Sequence, residues 1–277
     1  MKAVEYAEQA SEIFVLSDSF FRIRELIADE TSTIDDISNI ILLDPGLAGI
    51  ILKLSNSSFF NYPGKIDTIS KAVLVLGITE VYNLVIAYFT SEAFKAIEAD
   101  KEYLDRFWQQ SVDCALLIKF IGNHLNIRHV ERLFILGLLH NLGELVVKQF
   151  SPEKITACEF DEKTEYPWLK QQSVLGFSFG QCSAELLKLW QLPFSLISPI
   201  MNQDVIDIEN YNKDTQLLYL AKRIMLKNTM YQKTPLSTLI TDEQLAEFEF
   251  DNNFVDSAMT YCNSERLSIL AILNPGS

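Results

Sequence analysis

Apolar positions recur along this chain three and four residues apart, the spacing that lines one face of an α-helix. Ile37, Ile40 and Ile41 keep this period, as do Leu47, Ile50, Ile51 and Leu54. Period-two alternation, the strand signature, is scarce. Its best instance, "AVLVL" at Ala72–Leu76, lies between helix-capping residues and is read as helix.

Polar residues punctuate the pattern. Thr33 is placed as an N-cap, with Asp36 three residues on to complete a reciprocal cap. Asp44-Pro45 restarts the chain, with Asp as the cap and Pro at the first helical position, where no amide hydrogen is missed. Ser70 and Thr79 are expected to cap the next two helices, with Gly77 closing the first of them. Further helices are predicted at Leu104–Asn123, Val130–Phe150, Glu165–Leu175, Phe179–Trp190, Phe194–Met201, Asp214–Lys227 and Thr241–Phe248. The pattern predicts an all-α fold with Val130–Phe150 at its centre. The acidic, Asn-rich stretch Asn202–Asp214 is the best seam.

Composition narrows the class. With 277 residues, 48% of them hydrophobic, the chain is expected to fold around a large core. No unbroken apolar run reaches the ~18 residues of a membrane span, and Met1–Phe14 lacks a signal-peptide core. The expectation is a cytoplasmic protein with no membrane partner. Cys114, Cys158, Cys182 and Cys262 are dispersed, which suits reduced, buried thiols better than disulfides or zinc. A net charge of −14 argues against nucleic acid as a partner. The one basic stretch, "HLNIRHVER", is read as a solvated loop before a helix, carrying His124 and His129.

Three blocks together resemble the HDOD domains, all-helical relatives of the HD metal-dependent phosphohydrolases that occur in bacterial signalling. They are "LLDPGLAGIILKLSNSSFFNYPGKIDTISKAVLVLGITEVYNLVI" from Leu42, "FILGLLHNLGELVV" from Phe134, and "LKLWQLPFSLISPI" from Leu187. The resemblance spans Phe14 to Gln203. It implies an HD-like helical bundle over 12–205, with 206–277 as a C-terminal helical extension packed on or beside it. In the first block, Asn56 and its serine neighbours suit a tight helix corner or a ligand-contacting loop, with Phe59 and Phe60 plugging the next layer.

HD-type hydrolysis needs imidazoles and carboxylates around a metal. By the resemblance, His140 matches the histidine of the family's central His-Asp pair, and Asn141 replaces its Asp. An earlier family histidine falls at Gln110, another near Phe179, a histidine pair at Asn202-Gln203, and the late Asp at Lys222. The chain holds only three histidines. His140 is therefore expected in a buried polar cluster left from a metal centre. Lys222 either faces solvent or takes the position of the metal's charge. Gly137 and Gly143, one turn to either side of His140, should let neighbouring helices approach closely. Acidic pairs such as Asp35-Asp36 and Glu162-Glu165 are read as caps or solvated residues.

These features imply no catalytic residues, no metal and no cofactor. Gln110, His140, Asn141 and Lys222 form a vestigial site, with Asn56, Asn202 and Gln203 as possible ligand or partner contacts. The implied function is non-catalytic regulation in a bacterial signalling pathway, through a protein partner and with homo-oligomerisation open. One alternative is a phosphohydrolase or phosphodiesterase with an atypical site at His140 and Asn141. Another is a sensor holding a small ligand in the vestigial cavity. The partner is expected in an apolar groove between the N-terminal helices of the HDOD-like region and the acidic C-terminal segment, whose helices carry apolar faces that must be covered.

Overall fold

Thr33 starts a helix as its spacing predicts: its hydroxyl accepts from the Asp36 amide, and the Asp36 carboxylate accepts from the Thr33 amide. Asp44 caps the next helix by accepting from the Leu47 amide at 3.0 Å, with Pro45 at the first position. The computed structural model describes residues 1–273 apart from Ser58, Phe59, Asn61, Glu98, 159–165, Ile206, 230–238, Thr241, Glu247 and Glu249. The expectations for Phe59 and for Glu162-Glu165 lie outside the described residues.

Among the described residues every regular element is helical, and the fold is all-α. In chain order the α-helices are α1 (Ala3–Ile13), α2 (Asp18–Ala28), α3 (Ile34–Leu42), α4 (Pro45–Ser55), α5 (Ile69–Leu76), α6 (Ile78–Ala93), α7 (Lys101–His124) and α8 (Glu131–Leu139). They continue as α9 (Leu142–Phe150), α10 (Pro152–Cys158), α11 (Pro167–Leu175), α12 (Phe179–Leu189), α13 (Phe194–Met201), α14 (Lys213–Thr229), α15 (Asp242–Ala246) and α16 (Asn252–Leu273).

By compactness the chain forms two units. One comprises Met1–Ile13 and Ile97–Ser264, the other Phe14–Ala96 and Glu265–Ser277. The seam proposed at 205/206 does not divide these units. Leu217, Leu218, Ala221 and Ile224 of α14 are fully buried, and α14 packs on α7 and α8 within the first unit. Its apolar face is thus covered from within the chain.

Two caps differ from expectation. Thr68, not Ser70, caps α5, accepting from the Lys71 amide at 3.1 Å. Gly77, not Thr79, starts α6. At φ 91° it bends the path between the two helices by 119°. The turn is complete in one residue, and Gly77 serves both as the C-cap of α5 and as the N-cap of α6.

The predicted Val130–Phe150 helix is two helices broken at His140-Asn141. The His140 ring donates from Nδ1 to the Gly137 carbonyl at 2.6 Å. That carbonyl is the one the Asn141 amide would take in an unbroken helix, and Asn141 leaves helical geometry at φ −121°, ψ 16°. Against the expectation, Glu131–Phe150 is long and apolar enough to cross a membrane, but 72% of its most apolar stretch is buried inside the fold. There α8 packs on α7, and α9 on α12.

The core of the first unit forms at α7, where Cys114 to Ile118 are fully buried. Asp100 caps this helix, accepting from the Tyr103 amide at 2.8 Å, so it begins three residues before the expected Leu104. A Cβ on Gly137 would collide with the Ala115 backbone, and one on Gly143 with the backbone of α12. Both glycines therefore allow the predicted close approach. His124 ends α7 and does not lie in a loop; its ring packs 4.6 Å from Phe254. Arg132 pairs with Asp214 at 2.7 Å, which occupies the basic stretch within the chain. All four cysteines are buried thiols outside any disulfide, and burial pushes the Cys114 and Cys182 thiols up to about 12.

Candidate functional site

The break between α8 and α9 opens onto a cavity of about 370 Å³ within the first unit. Helical spacing places Tyr103, Arg106 and Gln110 of α7 along one wall, and Lys222, Met225 and Leu226 of α14 along another. His140 and Asn141 come from the break, and Glu144 from the first turn of α9. Phe179, at the start of α12, also reaches the cavity. The four residues expected at a vestigial site, Gln110, His140, Asn141 and Lys222, thus share one cavity.

His140 is held on both of its polar faces. Its ring is bound to Gly137, and its carbonyl accepts from Gln203 Nε2 at 2.8 Å and from the Ser183 hydroxyl at 3.3 Å. Burial, with the nearby Lys222 ammonium, lowers its pKa to about 4, and the Gly137 bond and the Asp204 charge oppose this only in part. The imidazole is therefore neutral at physiological pH.

Lys222 does not face solvent. Its ammonium lies 2.7 Å from Asp204 Oδ1, and the two side chains are 7% and 11% exposed. The Trp168 ring lies 5.4 Å from the same ammonium and 4.2 Å from the Arg223 guanidinium. Burial lowers the Arg223 pKa to about 10. Glu144 accepts from the Tyr103 hydroxyl at 2.8 Å and from the Asn141 side-chain amide. Burial raises its pKa, against those hydrogen bonds and the Arg106 and Lys148 charges.

The donor set does not fit a divalent metal. His140 offers one free ring nitrogen, Asn141 and Gln110 offer only uncharged amide oxygens, the Glu144 carboxylate already accepts from Tyr103 and Asn141, and Lys222 places an ammonium in the same cavity. No group of three His, Cys, Asp or Glu positioned for a metal occurs among the described residues.

The remaining candidates lie elsewhere. Gln203 is fully buried and supports the His140 break from behind, with a second bond to the Ile200 carbonyl. Asn202 donates to the Ser198 carbonyl at 2.8 Å and ends α13. Asn56 belongs to the other unit. There its amide donates to the Leu52 and Ile66 carbonyls and accepts from the Ile66 amide, which locks the loop after α4. Sequence reasoning missed Tyr103, Arg106, Glu144 and Asp204. For Glu144 a signal existed: it is an acidic residue one turn after His140 in an otherwise apolar run. For Asp204 there was none, because it lies in the turn after α13 and its partner is 18 residues away on α14.

Residues 13–206 match the HDOD domain family. The chain belongs to that family. It is 26% identical over 205 residues to an uncharacterized protein of Treponema pallidum (strain Nichols), covering 72% of this chain and 39% of that one. The chain thus spans about two fifths of the length of this curated relative. Two solved structures share the fold. One, provisionally named a phosphohydrolase, is from Shewanella amazonensis SB2B; it is 22% identical over 98% of each chain, with a TM-score of 0.74. The other, from Marinobacter aquaeolei VT8, is provisionally named a signal transduction protein. It is 21% identical over 93% of this chain and 58% of that one, with a TM-score of 0.65.

Proposed function

We propose that this protein is a non-catalytic regulatory module of bacterial signal transduction, working in the cytoplasm by binding another protein. The observation that carries this reading is the Lys222–Asp204 pair beside His140. The residues that would have to gather a metal and activate water are replaced by amides and an ammonium, so the arrangement favours a scaffold over a hydrolase. The likeness to a structure named for signal transduction agrees with this.

Binding to another protein is supported by exposed apolar side chains in the unit built from α2–α6. Leu42 and Leu43 at the end of α3 are 56% and 70% exposed, and Leu74 of α5 is 72% exposed. These two helices pack on one another. The test is affinity capture from a lysate of the source organism, comparing the full chain with a Leu43→Asp/Leu74→Asp variant. The reading predicts a specific protein retained by the parent and lost by the variant, with unchanged helicity and melting. Phosphodiester hydrolysis that is abolished by His140→Ala would contradict it.

A further inference from the structure

Three features of the cavity in the first unit exceed what packing requires. The first is His140. The Gly137 carbonyl can only accept, so Nδ1 carries the proton and Nε2 is a bare acceptor. The residue is 2% exposed and lines the cavity. The second is cationic. Lys222 also lines the cavity and has three N–H donors, of which Asp204 Oδ1 takes one. Arg106, an exposed residue, lines it as well. The third is an apolar surface from Phe179, Met225 and Leu226. A volume of about 370 Å³ is within the range of small-molecule sites.

We propose that this cavity binds a small monocarboxylic hydroxy acid with an apolar body. Lys222 and Arg106 hold the carboxylate, the hydroxyl donates to His140 Nε2, and the body lies against Phe179, Met225 and Leu226. The two cations select an oxyanion. Because Asp204 offsets part of the Lys222 charge and Glu144 stands in the wall, they balance one negative charge better than two. A neutral imidazole with a bare Nε2 repels a carboxylate oxygen and requires a donor from the ligand, which separates hydroxy acids from plain acids. Each Glu144 oxygen already accepts one bond, from Tyr103 and from Asn141, whereas the bare Nε2 accepts none and is the acceptor most in need of a donor.

This goes beyond the proposed function and would make the module responsive to a metabolite. Its test needs no protein partner, so failure of either proposal leaves the other standing. The full chain, in EDTA, is titrated calorimetrically with three probes. Mandelate carries all three features, phenylacetate lacks the hydroxyl, and 1-phenylethane-1,2-diol lacks the charge. The expected result is saturable mandelate binding at one per chain, with the other two at least about tenfold weaker, roughly the loss of one good hydrogen bond. Arg106→Gln, a change at an exposed residue, should weaken mandelate about tenfold with an unchanged melt. The inference is overturned if mandelate does not saturate, if phenylacetate binds equally well, or if folded Arg106→Gln binds like the parent.

Discussion

The ammonium of Lys222 sits 2.7 Å from the carboxylate of Asp204, in a part of the molecule where both side chains are almost withdrawn from water. Each charge offsets the desolvation of the other, and the Arg223 guanidinium also interacts with Asp204. Lys222→Met or Asp204→Leu alone should therefore cost about 3–5 kcal/mol by leaving a buried charge uncompensated. The double variant should recover most of that loss. Denaturant unfolding of the four proteins measures it, and additive single losses would show that the pair is not coupled.

His140 gives the fold a defined pH response. Burial, then Lys222, holds its folded pKa at about 4, below the ordinary 6.5. Between those values the unfolded chain binds a proton that the folded chain refuses, so stability is lost as the pH falls through this window. The loss reaches on the order of 3 kcal/mol near pH 4. Glu144, whose pKa is raised, works in the opposite sense as the pH falls through its folded value. Comparison with His140→Gln isolates the histidine. The variant's melting temperature should vary less between pH 6.5 and 4, and identical profiles would count against a buried neutral imidazole.

Two glycines should respond oppositely to alanine. At Gly137 the new methyl would collide with the Ala115 backbone of α7, which cannot rotate away. Gly137→Ala should destabilise by about 1–3 kcal/mol or more. At Gly49, inside α4, a Cβ meets nothing within 4 Å, and Gly49→Ala should stabilise by about 0.5–1 kcal/mol. Thermal melts of the two variants decide it; a neutral Gly137→Ala would mean that α7 and α8 do not cross at this residue.

The sequence made local features legible. Caps at Thr33 and Asp44 depend on residues three apart, and both are where the spacing put them. The Gly137 and Gly143 contacts were foreseeable because small residues in an apolar run have few other uses. The break at His140 was not, because it arises when a side chain takes a carbonyl from the backbone ladder, and apolar periodicity continues across it unchanged. Nor was the partner of Lys222 legible. The resemblance placed Lys222 at a ligand position, but only folding shows that α14 turns it inward to meet Asp204. The coverage of α14 by α7 and α8 is likewise a long-range outcome that a seam in composition does not reveal.

The central claim is that the cavity around His140 has no metal chemistry, its cationic position being held by Lys222. The most direct measurement is elemental analysis of the full chain after incubation with excess Mn²⁺ or Fe²⁺ and exhaustive buffer exchange. The account predicts far less than one metal per chain, unchanged by His140→Ala. One or two tightly held metals per chain, lost in His140→Ala, would contradict it.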